Sequence, residues 1–405
     1  MMLTMPGGEI CEQVPGLDGA VKLEELVVQK IWAEQNFLTD SLQTSCSKKI
    51  YIDYPGRWNH TKEGPDFINA RLVVDGQIRT GDVEVQFHPN EWNREGHQKD
   101  QNFENVILQV CLFTDPKGKV AQSRLVTGGA VPALILLPHL FYGIEEYAEM
   151  DAVAQLAGVD RAGQLILDEL AALSKEEVDK QIKKRWMQKR AFAHARLKSQ
   201  GWEQACHQWF LEVLGYRRNR APMARVAHRF PVPLWQRGQA DPQSIFASEN
   251  DWNLKGCRPA NHPGQRLAQY KKLWDQCPEW INRLALMQEL IDRSAGTFSR
   301  KEVFPILRAW RKDVLGDLFS SSKSHTLFVD FGLPMLAEFF GFDGLALWRQ
   351  WPAGDCPDIF REWAAKLGWV DSSGKRPLTN GQVQCFIETL CPKNTPQQSK
   401  KTEHE

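Results

Sequence analysis

"GPDFINARLVVDGQIRTGDVEVQFH", residues 64–88 of the 405, is the stretch on which the fold turns. Asp75-Gly76 is a dipeptide suited to the positive backbone angles of a two-residue hairpin. It divides the stretch into two strands, "ARLVV" and "QIRTGDVEVQFH". Side chains alternate between the faces of a strand. Asp82, Glu84, Gln86 and His88 therefore share one face, and Val83, Val85 and Phe87 the other. Alternation alone predicts a solvated polar face, and that is the plain reading. The sharper one starts from Pro65-Asp66, which stiffens the entry to the first strand and sets a carboxylate beside the second. Two carboxylates on adjacent strands suit Mg²⁺, an ion that prefers oxygen ligands and keeps several waters. Such an ion polarises a phosphoryl oxygen and supplies a hydroxide-like nucleophile.

The flanking sequence predicts the partners of this hairpin. "LEELVVQKIWAEQNF" from Leu23 has near-helical apolar spacing, and "KKIYIDY" alternates as a short strand. After the hairpin, "NEWNREGHQKDQNFEN" reads as a polar helix and "VILQVCLF" as a strand; "PALILLP" adds a further strand. The order is helix, three strands, helix, strand. From about Val153 the pattern becomes helical, and twelve of the fifteen tryptophans lie there. The expected division is an α/β domain over 1–150, a helical domain over 151–385 and a polar tail over 386–405.

Composition excludes several classes. The chain is 42% hydrophobic and 25% charged, as globular proteins are. Its first twenty residues lack the basic start and apolar run of a secretory signal, and its most apolar stretch, from Ala130, is too short to span a bilayer. A cytoplasmic protein without a membrane partner is expected. The nine cysteines include no C-x-x-C pair, which disfavours a zinc ribbon. Net charge is zero but unevenly spread: residues 1–105 carry 17 acids and 10 bases, whereas residues 180–237 carry 14 bases and two acids. A cation site beside a polyanion-binding surface would have this asymmetry, and so would merely solvated helices.

The Pro65-Asp66 and Glu84 arrangement resembles the PD-(D/E)XK nuclease superfamily, in which a Pro-Asp on one strand and an acid-x-Lys on the next form the metal site. The resemblance implies an α+β protein with a restriction-endonuclease-like α-β-β-β-α-β core followed by an all-helical domain. It assigns Asp66 and Glu84 to Mg²⁺, or Mn²⁺, and puts Gln86 where the lysine stands. Gln86 would orient the attacking water or substrate, while Lys62, Lys99 or His97 would supply the missing charge. "PGRWN" (55–59), "GPDFINA" (64–70), "GDVEVQFHPNEW" (81–92), "LGYRRNRAPM" (214–223) and "RPANHP" (258–263) also look like a bacterial family known as a domain of unknown function, which carries no activity with it.

The expected function is Mg²⁺-dependent phosphodiester hydrolysis of DNA or RNA, with Asp66, Glu84, Gln86 and His97 at the reacting centre. Arg185, Lys189, Arg217, Arg218 and Arg220 would hold the phosphate backbone. The rival is a non-catalytic nucleic-acid-binding or scaffolding protein on the same fold, favoured by the missing lysine. Several residues carry two readings. Glu24, Glu25 and Glu34 on the first helix assist the site or face solvent. His97 and Asp100 are site groups or an exposed pair. Gln109 faces the site or a buried partner. In "RPANHPGQR" (258–266), Asn261 or His262 caps a helix, or Arg258, His262 and Arg266 clamp a phosphate.

Overall fold

A computed structural model of the chain describes residues 11–16, 19–60, 63–115, 122–155, 160–216, 218–255, 257, 259–292, 300–370 and 377–391. Two compact units divide it, one reaching Ala152 and the other running from Val153 to Leu390. Among the described residues no helix is long and apolar enough to cross a membrane.

The first unit is built on a mixed sheet. Its strands are β3 (Leu42–Gln43), β4 (Lys49–Tyr54), β5 (Arg57–Trp58), β6 (Phe67–Val74), β7 (Gln77–Gln86), β8 (Val106–Cys111) and β11 (Ala133–Ile135). They lie in the order β11-β8-β7-β6-β4-β3, with β5 also on β6. A separate hairpin, β1 (Cys11–Gly16) with β2 (Gly19–Glu24), precedes helix α1 (Glu25–Ala33). A second small pair joins β9 (Ser123–Arg124) to β10 (Ala130–Val131). Helix α1 buries Val27, Val28, Ile31 and Trp32 in the sheet's core. In β4, Ile50 and Ile52 face inward while Lys49, Tyr51 and Asp53 face out, the alternation a half-covered strand requires.

The hairpin forms at Asp75-Gly76, where φ is +48° and +81°, and β6 pairs antiparallel with β7 from Val74 and Gln77 onward. Pairing slips by one residue between Phe67 and Ala70, and Asn69 takes a left-handed φ of +59° at that bulge. Asn tolerates this conformation better than most residues. The freed Asn69 amide donates to Asp82 Oδ1 at 3.0 Å. Asp82 thus serves the backbone of the bulge. Because Phe67 then pairs with Val83, Asp66 falls opposite Glu84.

Strand β7 is central, and its pairing with β8 is parallel. Both of its faces are covered at the site end: Val83, Val85 and Phe87 are buried, and so are Asp82, Glu84 and Gln86. The solvated face that alternation predicts is absent here, because a parallel strand pair brings crossover chain over the sheet. The crossover is not the single helix expected from its polarity. It is α2 (Glu91–Arg94) and two short 3-10 turns, His97–Lys99 and Gln101–Phe103, broken at Gly96 with φ +84°.

The second unit is helical. Helix α3 (Ile144–Gln155) lies mostly in the first unit; in the second, α4 (Asp160–Ala172) is followed by helix α5, which runs from Lys175 to Gly215 with a kink at Gly201. A Ser174–Glu177 capping box starts α5. Its core gathers Trp186, Trp209, Trp235, Trp280, Trp310, Trp348 and Trp351. The tail expected from residue 386 begins inside helix Asn380–Leu390, where Phe386 and Glu388 are buried; residues 392–405 lie outside those described.

The basic stretch of this unit is partly compensated by acids, most of them outside it in sequence. Lys184 meets Glu388, Lys189 meets Asp330, Arg190 meets Glu338, Arg196 and Arg220 share Glu212, and Arg225 and Arg229 share Glu249. Seven of the 14 bases in residues 180–237 are paired in this way, mostly with acids outside that window.

Candidate metal centre

Four elements of the first unit deliver carboxylates to one place. Asp66 comes from the residue before β6, Glu84 from β7, Glu25 from the start of α1 and Glu95 from the end of α2. The first two are locked by backbone amides of the neighbouring strand. Asp66 Oδ2 accepts from the Val85 amide at 2.9 Å, and Glu84 Oε2 accepts from the Asp66 amide at 3.1 Å. Gln29, one turn after Glu25 on α1, donates to Glu25 Oε1 at 3.2 Å and to Asp66 Oδ1 at 2.8 Å.

His97 closes the cluster from the crossover. Its ring stacks on Phe103 with centroids 3.8 Å apart and meets the edge of Trp92, so its orientation is fixed by packing. Nε2 lies 3.2 Å from both Glu84 Oε1 and Glu95 Oε2. It is angled so that it completes a hydrogen bond to neither. Glu25 Oε2 is likewise buried without a hydrogen-bond partner. The ligand atoms of Glu84, Glu95 and His97 lie within 4.8 Å of one another.

The electrostatics follow from this crowding. Burial, then the nearby Asp66 and Glu84, push the Glu25 carboxyl up to about 10. Burial, then Glu84, hold Asp66 well above the ordinary carboxylate range. Glu84 is also raised by burial, although His97 opposes the shift. Burial pulls against the charge on His97, but Glu84 and Glu95 outweigh it and lift the imidazole to about 9. Glu95 falls below its usual value despite burial, because His97 and Gln86 favour its charged form. Buried carboxylates that resist ionising are in need of positive charge, from protons or from a cation. The carboxylate oxygens of Asp66, Glu84 and Glu95 are a donor set that fits Mg²⁺ or Mn²⁺.

Gln86 plays a different part from the one expected of it. Its Nε2 donates to Glu95 Oε2 at 2.6 Å, and its Oε1 accepts from Gln109 Nε2 at 2.7 Å. Gln109 Oε1 in turn accepts from Ser123 Oγ at 2.6 Å. Gln86, Gln109 and Ser123 are all buried, so the amide at the lysine position is committed to holding a further carboxylate. Its two side-chain polar atoms are taken up by Glu95 and Gln109. Both readings of Gln109 are thereby joined: it has a buried partner, and that partner reaches the site.

The remaining expected residues separate. His88 is turned away, with Nδ1 against the Thr114 carbonyl. Asp100 caps the turn Gln101–Phe103, and Lys99 is exposed. Lys62, Arg217 and Arg258 lie outside the described residues. Arg185 and Lys189, expected on a phosphate-binding surface, are buried: Arg185 binds Gln384 and Gln188, and Lys189 pairs with Asp330. Arg220 is spent on Glu212, whereas Arg218 is exposed and donates to the Lys255 carbonyl. His262 caps helix Pro263–Gln276, its Nδ1 accepting from the Gly264 amide. Glu95 was not singled out by the sequence, although its spacing from Glu91 and His97 in "EWNREGH" was the available signal.

A family model described as "Protein of unknown function (DUF2851)" matches residues 25–248, more than half of the chain and every residue of this cluster. No curated protein and no solved structure matches the chain.

Proposed function

The chain belongs to the family described as proteins of unknown function (DUF2851), and from that premise we propose that it is a divalent-metal-dependent phosphodiesterase acting on nucleic acid. One observation carries the reading: Glu84 accepts from the Asp66 amide and Asp66 from the Val85 amide, and Glu25, Glu95 and His97 complete a largely buried, acid-rich pocket around them. The order α1, β4, β6, β7, crossover, β8 supports the likeness to the PD-(D/E)XK core, with short turns where that core has its second helix. Asp66 and Glu84 are the metal ligands of this proposal, with Glu95 within reach. Bound there, Mg²⁺ or Mn²⁺ would polarise the phosphoryl group and lower the pKa of an attacking water.

The chain's own residues supply the rest. His97, protonated at neutral pH with its pKa near 9, takes over the positive charge that a lysine provides elsewhere. Gln86 and Gln109 are positioning residues that fix Glu95. Glu25 holds a proton while the pocket lacks a cation and releases it when one arrives.

The test is cleavage of labelled single- and double-stranded nucleic acid with Mg²⁺ or Mn²⁺, comparing wild type with Asp66→Asn and Glu84→Gln. Metal-dependent cleavage by wild type should fall by at least about 10²-fold in each variant, the scale of losing one transition-state electrostatic contact. Absent cleavage, or cleavage that survives both substitutions, contradicts the reading. The non-catalytic alternative is favoured by one fact, the commitment of Gln86 to Glu95 in the lysine's place. Metal binding without cleavage would select it.

A further inference from the structure

Two motifs that the metal centre leaves unused, "LGYRRNR" and "RPANHPGQR", meet in the helical unit. Arg266, at the first turn of helix Pro263–Gln276, donates from Nη2 to the Tyr216 hydroxyl at 3.1 Å and to Asn261 Oδ1 at 2.7 Å. Its Nη1 donates to Gln269 Oε1 at 2.7 Å. Lys323 arrives from helix Ser321–Leu327, with Nζ 3.2 Å from the centroid of the Tyr216 ring and 3.1 Å from Asp355 Oδ2. The Tyr216 hydroxyl donates to that same carboxylate oxygen at 3.0 Å, while Ser322 Oγ donates to the other.

Three features set this cluster apart from the ion pairs that staple the helices together. Arg266 and Lys323 are only 6% and 1% exposed, yet Lys323 pairs directly with the exposed carboxylate Asp355, and Arg266 is linked to it through the Tyr216 hydroxyl. The Arg266 Nε–H is buried and has no hydrogen-bond partner, so one charged donor is unspent. Tyr216 sits at φ +54°, ψ −163°, a conformation almost confined to glycine. Strain of this kind persists where surrounding contacts impose it, and it concentrates at ligand clamps. The Tyr216 side chain is held by the two hydrogen bonds of its phenol and by the ammonium over its ring. Burial pushes the Tyr216 hydroxyl up to about 12, so it remains a donor.

We propose that Tyr216, Arg266 and Lys323 form a second binding site, for a phosphoryl oxyanion, whose donors Asp355 partly occupies when no ligand is present. An incoming phosphate would take the Arg266 Nε–H and compete with Asp355 for the Tyr216 and Lys323 donors. Guanidinium and ammonium groups bind phosphate through such charge-assisted bonds. Inorganic phosphate and the backbone of a nucleic acid offer the same chemistry. The site belongs to the second unit alone and is independent of the metal centre.

The test is titration of the full chain with inorganic phosphate in the presence of EDTA, followed by calorimetry. Wild type should bind phosphate saturably. Asp355→Asn, which removes the competing carboxylate, should tighten binding about tenfold, the worth of one charge-assisted hydrogen bond. Arg266→Gln should abolish it, and Tyr216→Phe should weaken it. Should Arg266→Gln fail to fold, Tyr216→Phe and Asp355→Asn still decide, because a purely structural cluster predicts no phosphate binding in any variant. Glu84→Gln should leave phosphate binding unchanged. Competition by a short single-stranded oligonucleotide would identify a nucleic-acid phosphate as the ligand, and its absence free phosphate. No saturable binding by wild type and Asp355→Asn, or binding indifferent to both Arg266→Gln and Tyr216→Phe, overturns the proposal.

Discussion

Glu25 shows what crowding carboxylates in a buried pocket does to their ionisation. Its carboxyl is raised from 4.5 to about 10, so above pH 4.5 the native state keeps a proton that the unfolded chain has released. Stability contributed by this group therefore falls as pH rises from 4.5 toward 10. Gln cannot ionise and escapes that loss. With EDTA present, Glu25→Gln should melt above wild type at about pH 8 by at least about 2–4 °C, what 1 kcal/mol is worth in a domain of this size. The gap should close toward about pH 4.5, where the unfolded chain's carboxyl takes up a proton as well. A pH-independent gap would mean that Glu25 is merely packed. Gln86→Leu tests the neighbouring residue: it frees Glu95 from its amide, and Mn²⁺ affinity should drop about 10–100-fold, as with other residues that orient a ligand. Asp66 and Glu84 stood out as candidates because Pro65-Asp66 and strand alternation announce them, whereas His97 carried two readings, a site group or an exposed residue. Glu95 was not, since its role depends on a break at Gly96 and on Gln86, both of which act only in three dimensions.

Strand β7 shows why a polar pattern need not mean a wet face. Alternation correctly separates Glu84 from Val83 and Val85, but it says nothing about what lies above each face. The parallel pairing with β8 brings the crossover over the acids, and the bulge at Asn69 sets Asp66 opposite Glu84. Asp82, identical in pattern to Glu84, is absorbed by that bulge. Gly81 permits the close approach of β7 to the chain entering β8. A Cβ there would stand 2.5 Å from both Asn105 O and Ile107 Cγ2. Gly81→Ala should destabilise the protein by about 1–3 kcal/mol through overpacking, read from urea unfolding. An unchanged midpoint would show that β8 can shift and that the site's frame is looser than described.

Across the whole molecule, charge is the property that sequence windows misjudge most. The basic stretch from residue 180 to 237 meets Glu338, Glu388, Asp330 and Glu249 in the fold, together with its own Glu212, and much of its expected phosphate-binding surface is thereby spent. The helical class of this part was legible from periodicity. Which arginines were free was not, because their partners are remote in sequence. The acid-rich centre of the first unit lacks comparable internal compensation, and that contrast is the reason a cation is assigned to it. Mn²⁺ titration of wild type and of an Asp66→Asn/Glu84→Gln double variant, with protons counted in buffers of different ionisation enthalpy, tests this most directly. The account predicts saturable binding by wild type that releases protons, tightens as pH rises from about 6 to 8, and disappears in the double variant. Saturable binding should also stabilise the fold by about 2.7 kcal/mol at a hundredfold excess over Kd. Binding that persists undiminished in the double variant, or no saturable binding at all, would contradict it.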